Sequence, residues 1–393
     1  PVTKQASVRE YFHLLEKNLE GKEIPRWVGE LYLEFHRGTY TSMARNKKYN
    51  RKSELAAMEA EGLEVMAGMF GRADASWKTR LHKDWKLILL NQFHDILPGS
   101  SLHEVYEDSK EQYEQVLNDL RGQSAEAKKA LAEVLAEGSG NGLMICNPLG
   151  FERTDLLELR QEPAGISQKT SEGTYLILAE GVPSKGLKIA SGGQGTAPED
   201  CFSADMENRC LKTPYYEVRW NQKGEIVSFY DREEEREILL PGEAANRLLV
   251  FEDRPEQYDA WNIDAGYEKK YWVWDELDGI ELAEKGPYRM SLRIKRSFLE
   301  SSLVQEIRFY RHTRRVDFKT HVDWKESQLL LKAAFPLDVR TDEASYEIQF
   351  GNVKRPTHRN TSWDEAKYEV CSQKWMDLSE AGYGVAFLND CKY

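Results

Sequence analysis

Apolar side chains recur at a helical period through the first third of the chain. Residues 1–22 carry this pattern and end at Gly21, which predicts one amphipathic helix. Between residues 41 and 135 the pattern continues in three segments with short connections, which predicts three antiparallel helices packed as a three-helix bundle. The positions expected to face its core are Leu55, Met58, Ala60, Leu63, Met66, Met69, Trp77, Leu81, Trp85, Ile88, Leu89, Leu102, Val105, Tyr113, Val116, Leu117 and Leu120.

The apolar period changes to two beyond the glycine-rich segment 136–142, which we interpret as a linker. Alternating apolar and polar residues are typical of strands with one buried face. Residues 143–393 are therefore predicted to form a large antiparallel β-sandwich, which makes the chain an α+β multidomain protein. The clearest strand patterns of this region lie at residues 215–220, 226–230, 290–295 and 316–322, and a short strand-like run lies earlier, at residues 31–35.

A break in the helical pattern places a histidine and an acid side by side. An apolar run ends at His94 and Asp95, just before the Pro-Gly turn signal at 98–99, and Ser101 with Glu104 has the spacing of a capping box. One interpretation is a buried, hydrogen-bonded histidine beside a helix C-terminal acid. The other is a pair presented to a cleft. An aspartate at a helix C-terminus opposes the helix dipole, which favours a role beyond local stability.

Composition and charge exclude some classes of partner. The chain of 393 residues is 40% hydrophobic and 31% charged, with a net charge of -12, so no attraction to nucleic acid or to an anionic membrane is expected. No apolar run approaches the roughly 18 residues of a membrane span. The five cysteines are scattered without metal-knuckle spacing, and no signal-peptide pattern is present, so we expect reduced thiols and a cytoplasmic protein.

Four segments, in order along the chain, are similar to one enzyme family. Residues 91–101 resemble the His-Asp signature of the class II α-mannosidases, glycoside hydrolase family 38. Residues 27–42 resemble the segment where the catalytic domain of that family passes into a helical bundle. Residues 258–264 and 351–364 resemble its bacterial and cytosolic branch. Four spaced matches in the right order are more specific than any one of them.

The resemblance implies that most of the catalytic domain lies outside this chain. Residues 1–40 would be the tail of that α/β domain, residues 41–135 the middle domain, and residues 143–393 a β-sandwich truncated at its C-terminus. The start at Pro1 without a methionine, and the end at Tyr393 just after an apolar run, agree with a piece of a longer protein. The nucleophile and the acid/base of the family lie upstream, so no catalytic residue is expected here and the fragment should be inactive alone.

The resemblance also assigns roles to the His-Asp pair. In the family the histidine is a zinc ligand and the aspartate binds the sugar hydroxyls held over the metal, which implies a metal role for His94 and a substrate role for Asp95. The other zinc ligands include a His-x-Asp pair upstream. Two such spacings occur here, at 82–84 and 321–323, and we interpret both as chance. The implied cofactor of the full-length enzyme is a divalent metal ion, zinc.

A second candidate site lies in the acidic and aromatic segment 252–264. Trp261 can stack on a sugar face, and Asp259 can accept hydrogen bonds from paired hydroxyls. The alternative is an ordinary sandwich loop with its aromatic side chains turned inward. Arg37 is either a surface cation or a brace for Glu30 or Glu34, and the brace is favoured. Residues 358–364 either face a polar ligand with Arg359, Asn360 and Trp363 or form a capped surface loop, and the loop is favoured.

Together these patterns predict part of a retaining, metal-dependent α-mannosidase that acts on mannose-containing oligosaccharides. Its partner would be the missing N-terminal catalytic domain, and formation of a homo-oligomer is left open. The alternative, from another class, is a non-catalytic carbohydrate-binding or assembly module. A His-x-Asp motif and an acidic nucleophile in the upstream coding sequence favour the enzyme, whereas a start codon just before Pro1 favours the module.

Overall fold

The structure, a computed structural model, describes residues 3–136, 142–190 and 200–393 and divides into two units, Pro1–Leu33 and Glu34–Tyr393. The first unit contains helix α1 (Val8–Leu19), whose N-cap is Ser7. This confirms the predicted amphipathic helix. The prediction of a strand at residues 31–35 is wrong, because no strand among the described residues pairs with them.

The second unit begins with a helical segment. Its three long helices are α2 (Ala44–Met69), α3 (Trp77–Asn91) and α4 (His103–Ala136). A cluster of buried apolar side chains draws on all three of them: Ala57, Ala60, Leu81, Ile88, Val116 and Leu120. The predicted helical segment is confirmed, and its description as a three-helix bundle stays a prediction.

The buried stripe of α2 is made largely of small residues, of which the sequence pattern indicated Ala60 but not Ala57 or Ala67. Its buried apolar positions are Ala57, Ala60, Leu63 and Ala67. Five long side chains that we expected in the core are exposed instead: Leu55, Met58, Met69, Leu89 and Leu102. Small side chains let two helices approach closely, so the face that packs is not the face with the bulkiest residues.

The rest of the second unit is rich in β-strands. The strands among the described residues are β1 (Leu143–Asn147), β2 (Arg153–Leu159), β3 (Gln168–Lys169), β4 (Tyr175–Val182), β5 (Gly186–Ala190), β6 (Ser203–Asp205), β7 (Cys210–Lys212), β8 (Tyr216–Trp220), β9 (Ile226–Asp231), β10 (Arg236–Glu237), β11 (Arg247–Glu252), β12 (Tyr271–Val273), β13 (Gly279–Lys285), β14 (Arg289–Phe298), β15 (Ser301–Tyr310), β16 (Val316–Asp323), β17 (Leu329–Ala334), β18 (Glu343–Ile348), β19 (Gly351–Pro356), β20 (Trp375–Glu380) and β21 (Tyr383–Leu388). Helix α5 (Ser362–Ala366) and two 3₁₀ turns, Arg37–Tyr40 and Tyr267–Lys269, complete the elements of the part of the chain that the structure describes.

These strands form several antiparallel sheets, and their packing as one β-sandwich stays a prediction. Their strand orders are β1-β5, β2-β4-β3, β10-β9-β8-β7-β6, β12-β11-β17, β13-β14-β15-β16 and β19-β18-β20-β21. The predicted hairpin is β8 and β9, and the alternating segments are β14 and β16, which confirms a helical segment followed by a β-rich region. The predicted linker at 136–142 lies largely outside the described residues.

Candidate functional site

The His94–Asp95 pair lies in a tight turn after α3 ends at Asn91, which we call the His94 corner (residues 92–99). The side chain of His94 is 74% exposed and that of Asp95 is 43% exposed, so the interpretation as a buried histidine is wrong. His94 Nε2 lies 3.4 Å from Asp95 Oδ2. An imidazole and a carboxylate are therefore presented together at the surface of this unit.

The backbone beneath the pair is held by hydroxyl groups. The carbonyl oxygen of Asp95 accepts a hydrogen bond from the Ser101 hydroxyl at 2.6 Å and one from the Tyr106 hydroxyl at 3.2 Å. Helix α4 begins at His103, close to Ser101, where we expected its N-cap. In the described residues, however, Ser101 makes no capping bond with Glu104, so the predicted capping box is wrong. The hydroxyl that we expected to cap the helix instead fixes the corner.

Polar side chains of α2 also hold the corner, and sequence reasoning missed them. Asn50 is buried, and its Oδ1 accepts from Gln92 Nε2 at 3.1 Å and from the Tyr113 hydroxyl at 3.1 Å. Gln92 Nε2 also lies 2.8 Å from a carboxylate oxygen of Glu54. Gln92, the first residue of the corner, is thus tied to α2 by partly buried hydrogen bonds, which are stronger than the same bonds in water.

Lys47, three residues earlier on α2, holds the other end of the corner. Its ammonium group donates to the carbonyl oxygens of Leu97 at 2.9 Å and Pro98 at 3.3 Å, and also to that of Ser42. Burial lowers the pKa of Lys47 to about 7, and the charge of Lys392 adds to the decrease. A buried ammonium group is favourable only when acceptors replace its water, and here backbone oxygens do so.

Asp259 and Trp261 lie in a turn that we call the Trp261 loop (residues 258–262). Asp259 is exposed and Trp261 is half-buried, with its ring centroid 4.8 Å from that of His36. The Gly38 amide donates to the Trp261 carbonyl oxygen at 2.9 Å. A β-carbon on Gly38 would lie 2.9 Å from the Asn262 carbonyl oxygen, so the loop packs directly on the backbone that precedes α2.

Asp253 is a titratable residue of this region that sequence reasoning did not single out. Burial raises the pKa of Asp253 to about 6, and the nearby carboxylates of Asp259 and Asp264 add to the increase, while Lys332 opposes it. Its Oδ1 is buried and meets no hydrogen-bond donor among the described residues. Three aspartates within the twelve residues 253–264 were the signal that could have identified it.

Arg37 is a structural brace, and the backbone of Glu34, one of the two residues that we expected it to brace, is among its partners. The buried guanidinium donates to the carbonyl oxygens of Glu34 and Ala366, the latter at 2.7 Å, and lies 4.1 Å from the centroid of the Tyr368 ring. It thereby joins the segment before α2 to the region of α5. Thr361 and Asp364 cap α5 reciprocally, which confirms a capped surface segment at 358–364.

The described residues do not contain a complete metal site. No group of three His, Cys, Asp or Glu side chains in residues 3–136, 142–190 and 200–393 could hold a metal ion. His82 and Asp84 lie on α3, and His321 and Asp323 lie on β16, and the interpretation of both spacings as chance stays a prediction. His94 stays a predicted ligand. In the same described ranges, no helix is both long and apolar enough to cross a membrane.

Two family models match the chain in the order of its helical and β-rich regions. The alpha mannosidase middle domain matches residues 34–131, and the glycosyl hydrolases family 38 C-terminal domain matches residues 211–393. The chain belongs to glycoside hydrolase family 38 and contains the middle and C-terminal domains of that family. The resemblance inferred from the four sequence segments is therefore confirmed.

Individual relatives extend this match to the whole chain. Alpha-mannosidase 2C1 of Homo sapiens is 33% identical over 408 residues, covering 100% of this chain and 37% of that protein. An alpha-mannosidase of Saccharomyces cerevisiae is 30% identical over 396 residues, covering 98% of this chain and 34% of that protein. The crystal structure of an alpha-mannosidase from Enterococcus faecalis V583 shares the fold, with a TM-score of 0.75 at 14% identity over 98% of this chain and 53% of that one. The chain thus spans little more than a third of the curated relatives that it matches.

Proposed function

We propose that the full-length protein is a retaining, metal-dependent α-mannosidase that hydrolyses terminal α-mannosides of oligosaccharides. The observation that carries the proposal is the His94 corner, where a histidine and an aspartate are exposed on a backbone held by partly buried hydrogen bonds. A surface pair with only a local role does not need such support. Family membership supplies the reaction class, because the curated relatives are named alpha-mannosidases.

In this proposal His94 is a metal ligand and Asp95 binds sugar hydroxyls. The exposed imidazole suits zinc, but one histidine is too few, since structural and catalytic zinc sites use three or four protein ligands. The chain alone therefore does not form the site, and the other ligands would come from the missing catalytic domain. When bound, the metal would supply Lewis acidity towards sugar hydroxyls. A charge-assisted hydrogen bond from a sugar hydroxyl to Asp95 orients the substrate.

Asp259 and Trp261 are proposed as further substrate contacts. The exposed Asp259 carboxylate can accept from paired hydroxyls, and an indole presents an apolar face of the kind that packs on sugar rings. The Trp261 loop and the His94 corner both contact the segment before α2, which supports a shared role.

The proposal includes the finer architecture. Residues 41–135 form the three-helix bundle, residues 143–393 a truncated β-sandwich, and residues 1–40 the tail of the catalytic domain. That domain, in a cytoplasmic enzyme, covers the His94 corner. In support, Phe93 is 52% exposed and Leu102 is 75% exposed, and large apolar side chains grouped around a polar site are typical of an interface.

An activity comparison tests this function. The full-length protein and the present chain are purified, and each is incubated with an aryl α-mannoside, with and without a chelator. We expect chelator-sensitive turnover by the full-length protein, α-mannose as the first product by NMR, and no turnover by the chain alone. Metal-dependent turnover by the chain alone contradicts the proposed division of the site. Oligosaccharide binding by the full-length protein without turnover favours the non-catalytic module instead.

A further inference from the structure

One polar residue of α2 is connected to both candidate loops. Lys47 is only 2% exposed, and its ammonium group donates to Leu97 and Pro98 in the His94 corner. Its third acceptor is the carbonyl oxygen of Ser42, just before the helix. Lys47 therefore ties the corner to the backbone that precedes α2.

Ser42 continues the connection to the second loop. Its Oγ lies 2.8 Å from the Ala260 carbonyl oxygen and 2.9 Å from that of Gly38. The Gly38 amide in turn donates to the Trp261 carbonyl oxygen at 2.9 Å. Three hydrogen bonds thus connect the corner, through Lys47 and Ser42, to Ala260 of the Trp261 loop.

The backbones also approach closely on both sides of this connection. A β-carbon on Gly99 would lie 2.7 Å from Ser42 backbone atoms, and one on Gly38 would lie 2.9 Å from the Asn262 carbonyl oxygen. Protein interiors are packed tightly and transmit small displacements, so a shift of Ser42 would move both loops.

We propose that Lys47 and Ser42 form a polar clamp that fixes the His94 corner relative to the Trp261 loop, with Lys47 as a positioning residue of the sugar site. This inference rests on the proposed function, because it assigns both loops to one substrate. The hydroxyls of a sugar ring have fixed separations, and a catalytic site misplaced by about 1 Å can lose roughly a hundredfold in rate. The clamp keeps Asp95 and Asp259 at the separation that the ring requires.

The chain offers a matched control for a purely structural role. Arg296 on β14 is 3% exposed, and its guanidinium donates to the carbonyl oxygens of Lys223 at 2.6 Å, Glu276 at 3.4 Å and Trp274 at 3.5 Å. Like Lys47, it is a buried cation with backbone acceptors. None of its partners belongs to the His94 corner or the Trp261 loop.

The experiment compares Lys47→Met, Lys47→Arg, Ser42→Ala and Arg296→Met in the full-length protein. Hydrogen exchange by mass spectrometry follows the amides of the His94 corner and the Trp261 loop, and kcat/KM is measured with an aryl α-mannoside. We expect Lys47→Met to speed exchange at least tenfold in both loops and to lower kcat/KM at least tenfold. Lys47→Arg should bring the exchange rates and kcat/KM part of the way back to the wild-type values. Arg296→Met should change the exchange rates and kcat/KM by no more than twofold, although it lowers Tm about as much as Lys47→Met does.

Ser42→Ala keeps the proposal testable if Lys47→Met does not fold. Removing one hydroxyl should speed exchange in the Trp261 loop and lower kcat/KM about tenfold. Faster exchange confined to one loop in Lys47→Met, or unchanged exchange in Ser42→Ala, overturns the clamp. Equal losses of kcat/KM in Lys47→Met and Arg296→Met overturn it too. If the wild-type protein has no mannosidase activity, the proposed function fails, and the exchange rates alone decide whether the loops are coupled.

Discussion

Gly99 packs against Ser42 so closely that a β-carbon on Gly99 would come within 2.7 Å of the Ser42 carbonyl carbon. Gly99 also has a positive φ of 98°, a conformation that side chains with a β-carbon rarely adopt. The turn signal in the sequence therefore has two physical causes at one position, the backbone dihedral and the close contact with the segment before α2.

Gly99→Ala should lower the free energy of unfolding by about 1–3 kcal/mol, since it adds both backbone strain and a steric clash. Chemical denaturation measures the change. Gly122→Ala is the matched control, because Gly122 is exposed on α4 and nothing lies within 4 Å of a β-carbon there. That variant should gain about 0.5–1 kcal/mol from reduced chain entropy. Equal stability of the two variants would show that the corner relaxes around the methyl group.

The His94 corner illustrates what could be predicted from sequence. A helical apolar run followed by Pro98 and Gly99 correctly located the turn, because backbone propensity acts locally. The support of the corner could not be found in the same way. It depends on partners such as Asn50 and Tyr113, which are far apart in sequence and meet only in the folded chain.

The buried polar residues of α2 could have been identified from their spacing along the helix, which a pattern of large apolar residues does not show. Positions 46, 50, 53, 57, 60, 64 and 67 are all buried and follow alternating steps of four and three, which trace one helix face. The alanines in this series mark the face, and the polar residues continue it. Our prediction favoured large apolar side chains and therefore placed Met58 and Met69 in the core, but both are exposed. Most candidate site residues came from the family resemblance, since exposed side chains leave no periodic pattern.

Glu64 lies on this buried face and is 2% exposed, with neither carboxylate oxygen hydrogen-bonded to a donor in the described residues. Burial raises the pKa of Glu64 above its ordinary value, and the charges of Asp74 and Glu126 add to the increase, while that of Arg80 opposes it. The folded state therefore holds this proton to higher pH than the unfolded state does. Its contribution to the free energy of unfolding is largest below the ordinary pKa of 4.5 and is lost as pH rises through the raised pKa.

Glu64→Met should therefore raise the free energy of unfolding at pH 7 by about 1–3 kcal/mol. The free energy of unfolding should also fall less in this variant than in the wild-type protein as the pH rises from 4.5 to 7. Urea unfolding at several pH values measures both effects. Glu61→Met is the control, because Glu61 is exposed on the same helix and should change stability little. A loss of stability in Glu64→Met would mean that the carboxylate has a stabilising ionic partner that outweighs its burial.

Asp259→Asn tests the Trp261 loop in two ways in the full-length protein. If Asp259 contacts substrate, kcat/KM should fall by an amount equivalent to ~2–4 kcal/mol, and Trp261→Ala should have a similar effect. Removing the Asp259 charge should also lower the pKa of Asp253 from about 6, because the two carboxylates repel each other. Carbon NMR of the Asp253 carboxyl group follows the second effect.

Glu256→Gln is the matched control, since Glu256 is another exposed acid of the same segment. It should leave kcat/KM and the Asp253 pKa close to those of the wild-type protein. A lowered Asp253 pKa with unchanged kcat/KM in Asp259→Asn would keep the electrostatic interaction but remove Asp259 from the substrate site. Wild-type rates in both Asp259→Asn and Trp261→Ala would assign the loop a structural role.

Substitutions of His94 and Asp95 should have different effects in the full-length protein, because we propose that His94 binds metal and Asp95 binds sugar hydroxyls. His94→Ala removes a metal ligand, so bound metal and activity should fall together, and excess zinc should restore part of both. Asp95→Asn keeps the shape of the side chain but loses charge-assisted acceptance from sugar hydroxyls, which is worth ~1.5–3 kcal/mol per bond. It should retain metal and lose turnover. Elemental analysis beside kinetics separates the two. Loss of metal in Asp95→Asn with full metal in His94→Ala would reverse the assignment, and unfolding of both variants would make the corner structural.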